Sequence, residues 1–322
     1  KRLKRSSSRK ESNMTVKVLV NDPLDASAME ELAKIPHTEI LAKHHEQDEL
    51  KKLIPDYHVL VVRSATKANK EIIEAGTNLK LIARAGTGLD NVDMKTARAR
   101  NITVINTPGA NAISVAELAI GFMLSLFRFI PRGTAGLKEG KWEKKALEGC
   151  ELNGKTIGII GFGAIGREIA KRLLAFNCKI LAYDVQPQAG GLDVTFATLE
   201  ELYKASDVIT VHAPLMEATK HMINETALNL MKDGVYIIHA ARGGIIDEGS
   251  LLNALESGKV AGAALDVFEV EPPTDDLRKK LIAHPHVIGT PHIGASTKEA
   301  QVRVGDQIVE SMRVEIAKLV NG

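Results

Sequence analysis

The chain has 322 residues, 44% of them hydrophobic and 25% charged, which suits two globular domains and lacks the bias of disordered or collagen-like chains. The formal charge is +2, but residues 1–13 carry six Lys or Arg and one Glu, leaving 36 basic and 39 acidic residues elsewhere. Because the body of the chain is mildly acidic, the composition argues against a nucleic-acid-binding protein. The longest strongly apolar stretch, residues 116–127, is too short to cross a membrane.

Residues 1–13 form a basic tail with three interpretations: a disordered solvated arm, the remnant of a targeting peptide, or a leader ahead of a natural start at Met14. The two cysteines, Cys150 and Cys178, belong to no CxxC pair and accompany no histidine cluster. This usage predicts neither a disulfide framework nor a metal site, and it favours a reducing compartment, the cytoplasm.

From Val16 onward, short apolar segments alternate with amphipathic stretches such as residues 27–35 and 46–54. The predicted strands of this first region are residues 17–20, 38–41, 58–63, 81–86 and 102–106. Repeated strand–helix alternation with β-branched strands predicts an α/β fold with a parallel, doubly wound sheet and helices on both faces.

A break at residues 108–111 separates this region from a long apolar helix that is predicted to run towards Phe129. Ser114 is placed to cap this helix, with Glu117 as its capping-box partner. A helix that is apolar all round is either buried in its own domain or shared with a second subunit. We therefore predict a homodimer through the 114–129 region, with further pairing into a tetramer left open.

A second series of strands follows, at residues 156–161, 179–183, 208–212, 235–240, 263–267 and 286–290. Six strands in this order make a complete dinucleotide-binding sheet. The last helix, residues 297–319, has no strand of its own and is expected to pack on the first region. We predict a Rossmann-type NAD-binding domain, residues 108–296, inserted into a flavodoxin-like substrate-binding domain, residues 14–107 and 297–322. Ligands would bind in a cleft between them, with hinges near residues 106–108 and 295–296.

A dinucleotide fingerprint, GFGAIG, begins the second domain. Gly161, Gly163 and Gly166 follow a strand directly and open a helix, and Asp184 ends the next strand. The glycines allow a tight turn, approach of the pyrophosphate and close helix packing, while the helix N-terminus favours the phosphate charge. Asp184 would accept hydrogen bonds from a ribose hydroxyl, and residues 185–188 contain no Arg or Lys to neutralise a phosphate. The predicted cofactor is therefore NAD and not NADP.

Three charged or titratable residues follow later strands of the same domain: Arg242, Glu271 and His292. Each has an ordinary structural alternative on its own. Together, at the carboxyl edge of a nucleotide-binding sheet, they suit a redox reaction. The arginine would bind and polarise a carbonyl and carboxylate, the histidine would exchange the proton, and the carboxylate would orient the histidine.

Sequence motifs distributed from Met14 onward carry a specific resemblance. They are RSATK (63–67), RAGTGLDNVD (84–93), KWEKK (141–145), ELNGKTIGIIGFGAIGREIA (151–170), ARGGIIDEG (241–249), ALDVFEVEPP (264–273) and PHIGASTKEAQ (291–301). With these motifs the chain resembles the D-isomer-specific 2-hydroxyacid dehydrogenases. Within that family, RAGTGLDNVD and PHIGASTKEAQ resemble the phosphoglycerate-oxidising branch.

The resemblance implies a function and a set of site residues. The implied reaction is the NAD-dependent oxidation of D-3-phosphoglycerate to 3-phosphohydroxypyruvate, the first step of L-serine synthesis, with His292 as the acid/base. The implied cofactor contacts are Thr87, Ala164, Ile165, Asp184, Ala213, Ala240, Asp266 and Gly294. The implied substrate contacts are Arg63, Ser64, Gly86, Thr87 and Gly88, with Lys141 or Lys144 reaching across a dimer. Ala164 departs from the family, since several relatives have an arginine there.

Two alternative functions stay open at this point. A relative acting on glyoxylate, hydroxypyruvate or another D-2-hydroxy acid would share the fingerprint and the three reacting residues, and only the phosphate-binding charges would distinguish it. A non-enzymic NAD-sensing adaptor, resembling the C-terminal-binding-protein corepressors, would also keep the fold. Nothing in the sequence specifies the apolar peptide groove that such an adaptor would need, and fold alone does not decide function.

Overall fold

The computed structural model describes residues 14–321, and the predicted basic tail at residues 1–13 lies outside the described residues. The chain divides into two compact units. The split unit runs to Asn111 and resumes at Thr297, and the inserted unit spans Ala112–Ser296. This first boundary lies four residues beyond the sequence-based one at residue 107.

The split unit is built around a five-stranded parallel sheet with the order β2-β1-β3-β4-β5. Its strands are β1 (Val16–Val20), β2 (Thr38–Ala42), β3 (Val59–Val62), β4 (Leu81–Arg84) and β5 (Thr103–Ile105). Its helices are α1 (Ala26–Ala33), α2 (Gln47–Leu53), α3 (Lys70–Ala75), α4 (Met94–Ala99) and α12 (Lys298–Asn321). The last helix contacts α1, β1, β4 and β5, as its lack of a companion strand predicted.

Both faces of this sheet are buried, which explains its nearly continuous apolar strands. On one face, alternate residues of β1, β3 and β4 pack with α1 and α12, where Leu32 and Ile308 are fully buried. On the other face, the remaining strand residues pack with α2, α3 and α4 through side chains such as Leu50 and Ile73. The predicted doubly wound sheet is confirmed.

The inserted unit contains a seven-stranded parallel sheet with the order β12-β11-β10-β9-β6-β7-β8. Its strands are β6 (Thr156–Ile160), β7 (Lys179–Tyr183), β8 (Thr195–Phe196), β9 (Val208–Val211), β10 (Val235–His239), β11 (Val260–Leu265) and β12 (Val287–Gly289). Its helices are α5 (Ala112–Phe127), α6 (Ile130–Lys138), α7 (Ala164–Leu174), α8 (Leu199–Ala205), α9 (Glu225–Leu230), α10 (Glu248–Glu256) and α11 (Asp276–Ala283). The sequence predicted six of these strands and missed β8, which is two residues long.

The long apolar helix α5 is a core element of the inserted unit. It packs against α7, β10 and β11, and its buried side chains include Phe122 and Met123. The prediction that Ser114 caps it is wrong, because the helix begins at Ala112 and Ser114 is buried in its first turn. Glu117, the predicted capping partner, instead pairs with Arg172 at 3.3 Å.

The chain turns sharply after α5. Phe129 has a left-handed backbone conformation, and α6 begins directly after it, a helix that the sequence did not predict. Within residues 14–321 no single helix is long and apolar enough to cross a membrane. Helices α5 and α6 reach the required length and apolar composition only in combination, and the chain bends by 62° between them.

Candidate active site

The three predicted reacting residues follow neighbouring strands of the inserted unit. Arg242 comes three residues after β10, Glu271 lies in the loop after β11, and His292 lies just beyond β12. Since these strands are parallel and adjacent, their carboxyl ends lie at one edge of the sheet. In open α/β sheets this edge is where ligands bind.

His292 and Glu271 form a directly bonded pair. The imidazole Nδ1 lies 2.9 Å from Oε2 of Glu271, and the other carboxylate oxygen accepts the Phe268 N–H at 3.0 Å. The two side chains keep 47% and 37% of their surface exposed. Because an ionised carboxylate only accepts hydrogen bonds, Nδ1 carries its proton, and Nε2 is the nitrogen that can exchange a proton with a ligand.

The loop that carries His292 is anchored by Asp266, whose side chain is almost fully buried. One carboxylate oxygen of Asp266 accepts from the Thr290 hydroxyl at 2.6 Å and the Ile293 N–H at 2.7 Å, and the other accepts from the Gly294 N–H at 2.8 Å. Asp266 and Gly294 were predicted as cofactor contacts; both are buried, and the Gly294 N–H is bonded to Asp266. These hydrogen bonds fix the loop that carries His292.

The loop that carries Arg242 lies directly on the loop that carries Glu271. At Gly243 an added Cβ atom would overlap the backbone carbonyl oxygen of Phe268, so this close approach requires glycine. Arg242 is half-buried, and one of its Nη atoms donates to the Ala241 carbonyl oxygen at 2.6 Å. The backbone contact therefore holds the guanidinium and the histidine–glutamate pair on adjoining loops.

The glycine fingerprint has the geometry of a dinucleotide cradle. Gly161 has a φ of 90°, and a Cβ there would come within 2.6 Å of the His212 backbone. Gly163 is the N-cap of α7, with no capping side chain and open space around it. The first helical residues are Ala164 and Ile165, and Gly166 lies in the same turn. The N-terminal amides of α7 are thus available to a pyrophosphate.

Asp184 joins this cradle from the end of β7. Its carboxylate accepts the Phe162 N–H at 2.7 Å and the Gln186 N–H at 2.8 Å, and it remains partly exposed. The carboxylate therefore braces the fingerprint turn and retains lone pairs for a ribose hydroxyl. These residues fit NAD, and no cation in residues 185–188 would neutralise an additional phosphate.

Two histidines near the cradle, His239, which is buried, and His212, which is half-buried, were not predicted from sequence. His212 follows β9, where its Nε2 lies 2.7 Å from the Thr210 hydroxyl, and His239 ends β10. Burial lowers the pKa of His212 to about 3 and the pKa of His239 to about 4, so both are neutral near pH 7. Their position at the ends of apolar strands is the signal that could have identified them. The predicted contacts Ala213 and Ala240 immediately follow them.

The predicted substrate residues of the split unit lie in two loops. After β3, the Arg63 guanidinium donates to the Pro23 carbonyl oxygen at 3.2 Å and to the Gln301 side-chain oxygen, while Ser64 is exposed. After β4, the Thr87 hydroxyl lies 2.9 Å from the Asn111 side-chain oxygen. Gly86 and Gly88 flank Thr87 in a partly buried loop.

The predicted substrate lysines lie elsewhere in the inserted unit. Lys141 pairs with Glu139 at 2.6 Å and lines a cavity together with Tyr236 and Val287, which lie at the amino ends of their strands. Lys144 is exposed in the same loop. This is the edge of the sheet opposite Arg242 and His292. Within one chain, the inserted unit does not bring Lys141 to its catalytic edge.

Comparisons with known proteins agree with this architecture. Residues 120–294 match the NAD-binding domain of the D-isomer specific 2-hydroxyacid dehydrogenases. The chain is 57% identical to a hydroxypyruvate reductase of Thermotoga maritima over 93% of its own length and 98% of that protein. It is 44% identical to the D-3-phosphoglycerate dehydrogenase of Sus scrofa over 95% of its own length and 57% of that protein.

A solved structure gives a similar result. The D-lactate dehydrogenase of Aquifex aeolicus, complexed with NAD and lactic acid, is 31% identical to this chain and superposes with a TM-score of 0.82. The match covers 94% of this chain and 96% of that structure.

Proposed function

This chain belongs to the D-isomer specific 2-hydroxyacid dehydrogenase family and uses NAD, and on that premise we propose that it reduces hydroxypyruvate to D-glycerate. The observation that carries the proposal is the 57% identity to a hydroxypyruvate reductase along 98% of that protein. Oxidation of D-3-phosphoglycerate, predicted from the sequence motifs, becomes the second candidate. Its support is a 44% identity that covers 57% of the matched protein.

The surroundings of Arg63 also favour an unphosphorylated substrate. Arg63 was the residue expected to hold a phosphate, but its guanidinium already donates to the Pro23 carbonyl and the Gln301 side chain. A phosphate would have to compete with these hydrogen bonds. Hydroxypyruvate carries a hydroxyl in place of the phosphate, so its binding does not have to displace the hydrogen bonds of Arg63.

The residues of the catalytic edge suit the reduction of a 2-oxo acid. When bound, NADH supplies the hydride for the carbonyl carbon. The planar guanidinium of Arg242 would bind the substrate carboxylate and polarise the carbonyl oxygen. Protonated His292 would give the proton on Nε2 to that oxygen as it becomes a hydroxyl, and the Glu271 carboxylate would stabilise the imidazolium before transfer. His292 is left neutral, and oxidation of the hydroxy acid runs these steps in reverse.

The proposal is tested by initial rates with purified protein. NADH consumption is compared for hydroxypyruvate, glyoxylate and 3-phosphohydroxypyruvate at equal concentrations. We expect the highest kcat/KM with hydroxypyruvate. A clear preference for the phosphorylated acid would overturn the proposal in favour of phosphoglycerate oxidation. Absence of turnover with all three, in protein that binds NADH, would favour the non-enzymic adaptor.

Removing the charge of Glu271 should slow the reaction. In Glu271→Gln the imidazole loses the carboxylate 2.9 Å from its Nδ1, and an amide is a weaker partner for the ring N–H. We expect kcat for hydroxypyruvate reduction to fall roughly tenfold, the order of a hydrogen bond to a charged group, while the KM for NADH stays near its original value. Steady-state kinetics of both proteins are the check, and an unchanged kcat would contradict the role assigned to Glu271.

Asp184 should determine the choice between the two nicotinamide cofactors. In Asp184→Asn the side chain keeps its size and one acceptor oxygen, but it loses the negative charge that repels a 2′-phosphate. We expect the KM for NADH to rise roughly tenfold, because one hydrogen bond to a charged group contributes about that much to affinity. The preference for NADH over NADPH should fall by a similar factor. Measured KM values for both cofactors test this, with Asp193→Asn as a control, since Asp193 lies outside the cradle. An unchanged preference would contradict it.

We propose that the chain forms a homodimer through α6 and the loop after it. The sequence-based interface was the 114–129 helix, but most of that helix is buried inside its own unit. Nearby, Ile130, Leu137 and Trp142 are 52%, 61% and 81% exposed. Exposed apolar side chains in one segment are typical of an interaction surface, and tryptophan is enriched among residues that dominate binding.

The dimer proposal predicts a change in association when this surface is altered. In Trp142→Ala we expect the dimer dissociation constant to rise roughly thirtyfold, the usual order for a residue that dominates an interface. Analytical ultracentrifugation measures it. Val314→Ala, at a side chain 50% exposed on α12, is the matched control. A monomer in both proteins, or an unchanged constant, would contradict this interface.

A further inference from the structure

His221 stands apart from the reacting residues but contacts both loops that carry them. It precedes α9 in the inserted unit, and its backbone N–H donates to the Gly244 carbonyl oxygen at 2.8 Å. Two residues later, Ile223 forms a parallel bridge with Ile246, and the Asp247 N–H donates to the Ile223 carbonyl oxygen at 2.9 Å. The backbone at His221 is therefore fixed to the loop that begins with Arg242.

The ring of His221 extends from this loop to the loop of Glu271. Its Nε2 lies 3.3 Å from the carboxylate of Glu269, two residues before Glu271. Its Nδ1 lies 3.9 Å from the carboxylate of Asp247, which is the N-cap of α10. The hydrogen bond from the Ser250 backbone lowers the pKa of Asp247, so this carboxylate stays ionised. The imidazole thus lies between two carboxylates, one from each catalytic loop.

An ion-pair network holds Glu269 in place. Its N–H donates to the Glu248 carboxylate at 2.7 Å, and its own carboxylate lies 3.5 Å from the Arg278 guanidinium. Arg278 is 8% exposed and also pairs with Glu248 at 2.7 Å and with Asp275 at 2.8 Å. Three carboxylates, those of Glu248, Glu269 and Asp275, therefore pair with one guanidinium. With the Asp247 carboxylate on its other side, the His221 ring faces hydrogen-bond acceptors, which favour a ring N–H donor at this position.

We propose that His221 is a positioning residue, which ties the Arg242 loop to the Glu271 loop and thereby sets the distance between the guanidinium and the histidine–glutamate pair. The inference rests on the proposed function, because it takes Arg242, Glu271 and His292 as the reacting groups. The ring of His221 contacts the carboxylates of Glu269 and Asp247. Its side chain is 35% exposed, so it contributes little to the core.

The consequence for catalysis follows from the geometry. Reacting groups on two separate loops must be aligned together, and a misplacement of about 1 Å can reduce a rate a hundredfold. Without the His221 bridge, the two loops keep the backbone contact at Gly243 and the hydrogen bond from the Glu269 N–H to Glu248, but lose the imidazole that spans them. The dinucleotide cradle is formed by β6, α7 and β7, whereas the His221 ring contacts Asp247 and Glu269.

The kinetic test compares His221→Ala, His221→Gln and Glu269→Gln with the control His284→Ala, whose imidazole lies near the amino end of β12. With the best 2-oxo acid substrate, we expect His221→Ala to lower kcat roughly 10- to 100-fold while the KM for NADH and the Tm stay near their original values. Glutamine retains a donor and should restore part of kcat. The double variant His221→Ala/Glu269→Gln should be no slower than the slower single variant.

A second measurement does not depend on activity. Hydrogen exchange followed by mass spectrometry should show faster exchange in His221→Ala at residues 242–247 and 266–273, and unchanged exchange at residues 156–174. Unchanged kcat, a strictly additive double variant, or unchanged exchange in both loops would overturn the inference. Failure of the substrate proposal would change only which acid is used. If no acid is reduced at all, the exchange result alone decides the role of His221.

Discussion

Replacing His292 by asparagine is expected to lower kcat for 2-oxo acid reduction by about 10²–10⁴, the usual contribution of a general acid. Nε2 of His292 is the only nitrogen of the pair free to exchange a proton with substrate, because Nδ1 is bonded to Glu271 at 2.9 Å. Asparagine suits this test for a conformational reason. His292 has a φ of 53°, and asparagine tolerates this left-handed conformation better than most residues, so the loop should keep its shape.

Steady-state kinetics and NADH binding together check the result. NADH affinity should be unchanged, since the cradle around Gly163 and Asp184 is untouched. His284→Asn, in the same unit but near the amino edge of the sheet, is the control and should retain normal turnover. If His292→Asn retained kcat within threefold of the original, the acid/base role would have to be assigned to another residue.

Replacing Arg242 by lysine is expected to lower kcat/KM for the 2-oxo acid by about 10²–10³, the range found when a preorganised donor to a developing oxyanion is removed. Both side chains are cations, so the loss would come from geometry. A guanidinium presents a planar fork of donors to a carboxylate and carbonyl, whereas an ammonium is a single point charge. Gly243 holds the Arg242 loop against the Phe268 backbone, which leaves the shorter ammonium little room to adjust.

The control for this change is Arg128→Lys, at an exposed arginine in the turn between α5 and α6. It should leave kcat/KM unaltered. Chemical rescue adds a second readout, since guanidinium ion supplied to Arg242→Ala should restore part of the rate. Near-normal kcat/KM in Arg242→Lys would show that the reaction does not require the planar set of guanidinium donors.

The elements that followed from local pattern alone were predicted well. Apolar, β-branched strands alternating with amphipathic helices admit few arrangements other than parallel sheets with two covered faces, and both sheets have that form. The missed elements depend on context. Strand β8 has two residues, too few for any periodicity, and α6 starts after the left-handed residue Phe129. Helix α5 starts before its predicted cap because Ala112 and Val115 are buried in the core.

The residues of the candidate site likewise include some that the sequence predicted and others that only their contacts revealed. Arg242, Glu271 and His292 were identified because each follows a parallel strand, and parallel strands bring their carboxyl ends to one edge. The roles of Asp266 and His221 were not predicted, since a buried anchor and a bridge between loops are defined by partners distant in sequence. Arg63 illustrates the same point, because the engagement of its guanidinium by Gln301 joins residues 238 positions apart.

The sequence by itself thus determined the two parallel sheets, the dinucleotide fingerprint with its acidic partner, and the identity of the three candidate reacting residues. These follow from periodicity, glycine placement and strand order, which are local properties of a chain. Only the tertiary structure decided which atoms join His292 to Glu271, the contact of the two catalytic loops at Gly243 and the hydrogen bonds that occupy Arg63. Hydrogen bonds and burial depend on distances between segments remote in sequence, and those distances exist only once the chain has packed.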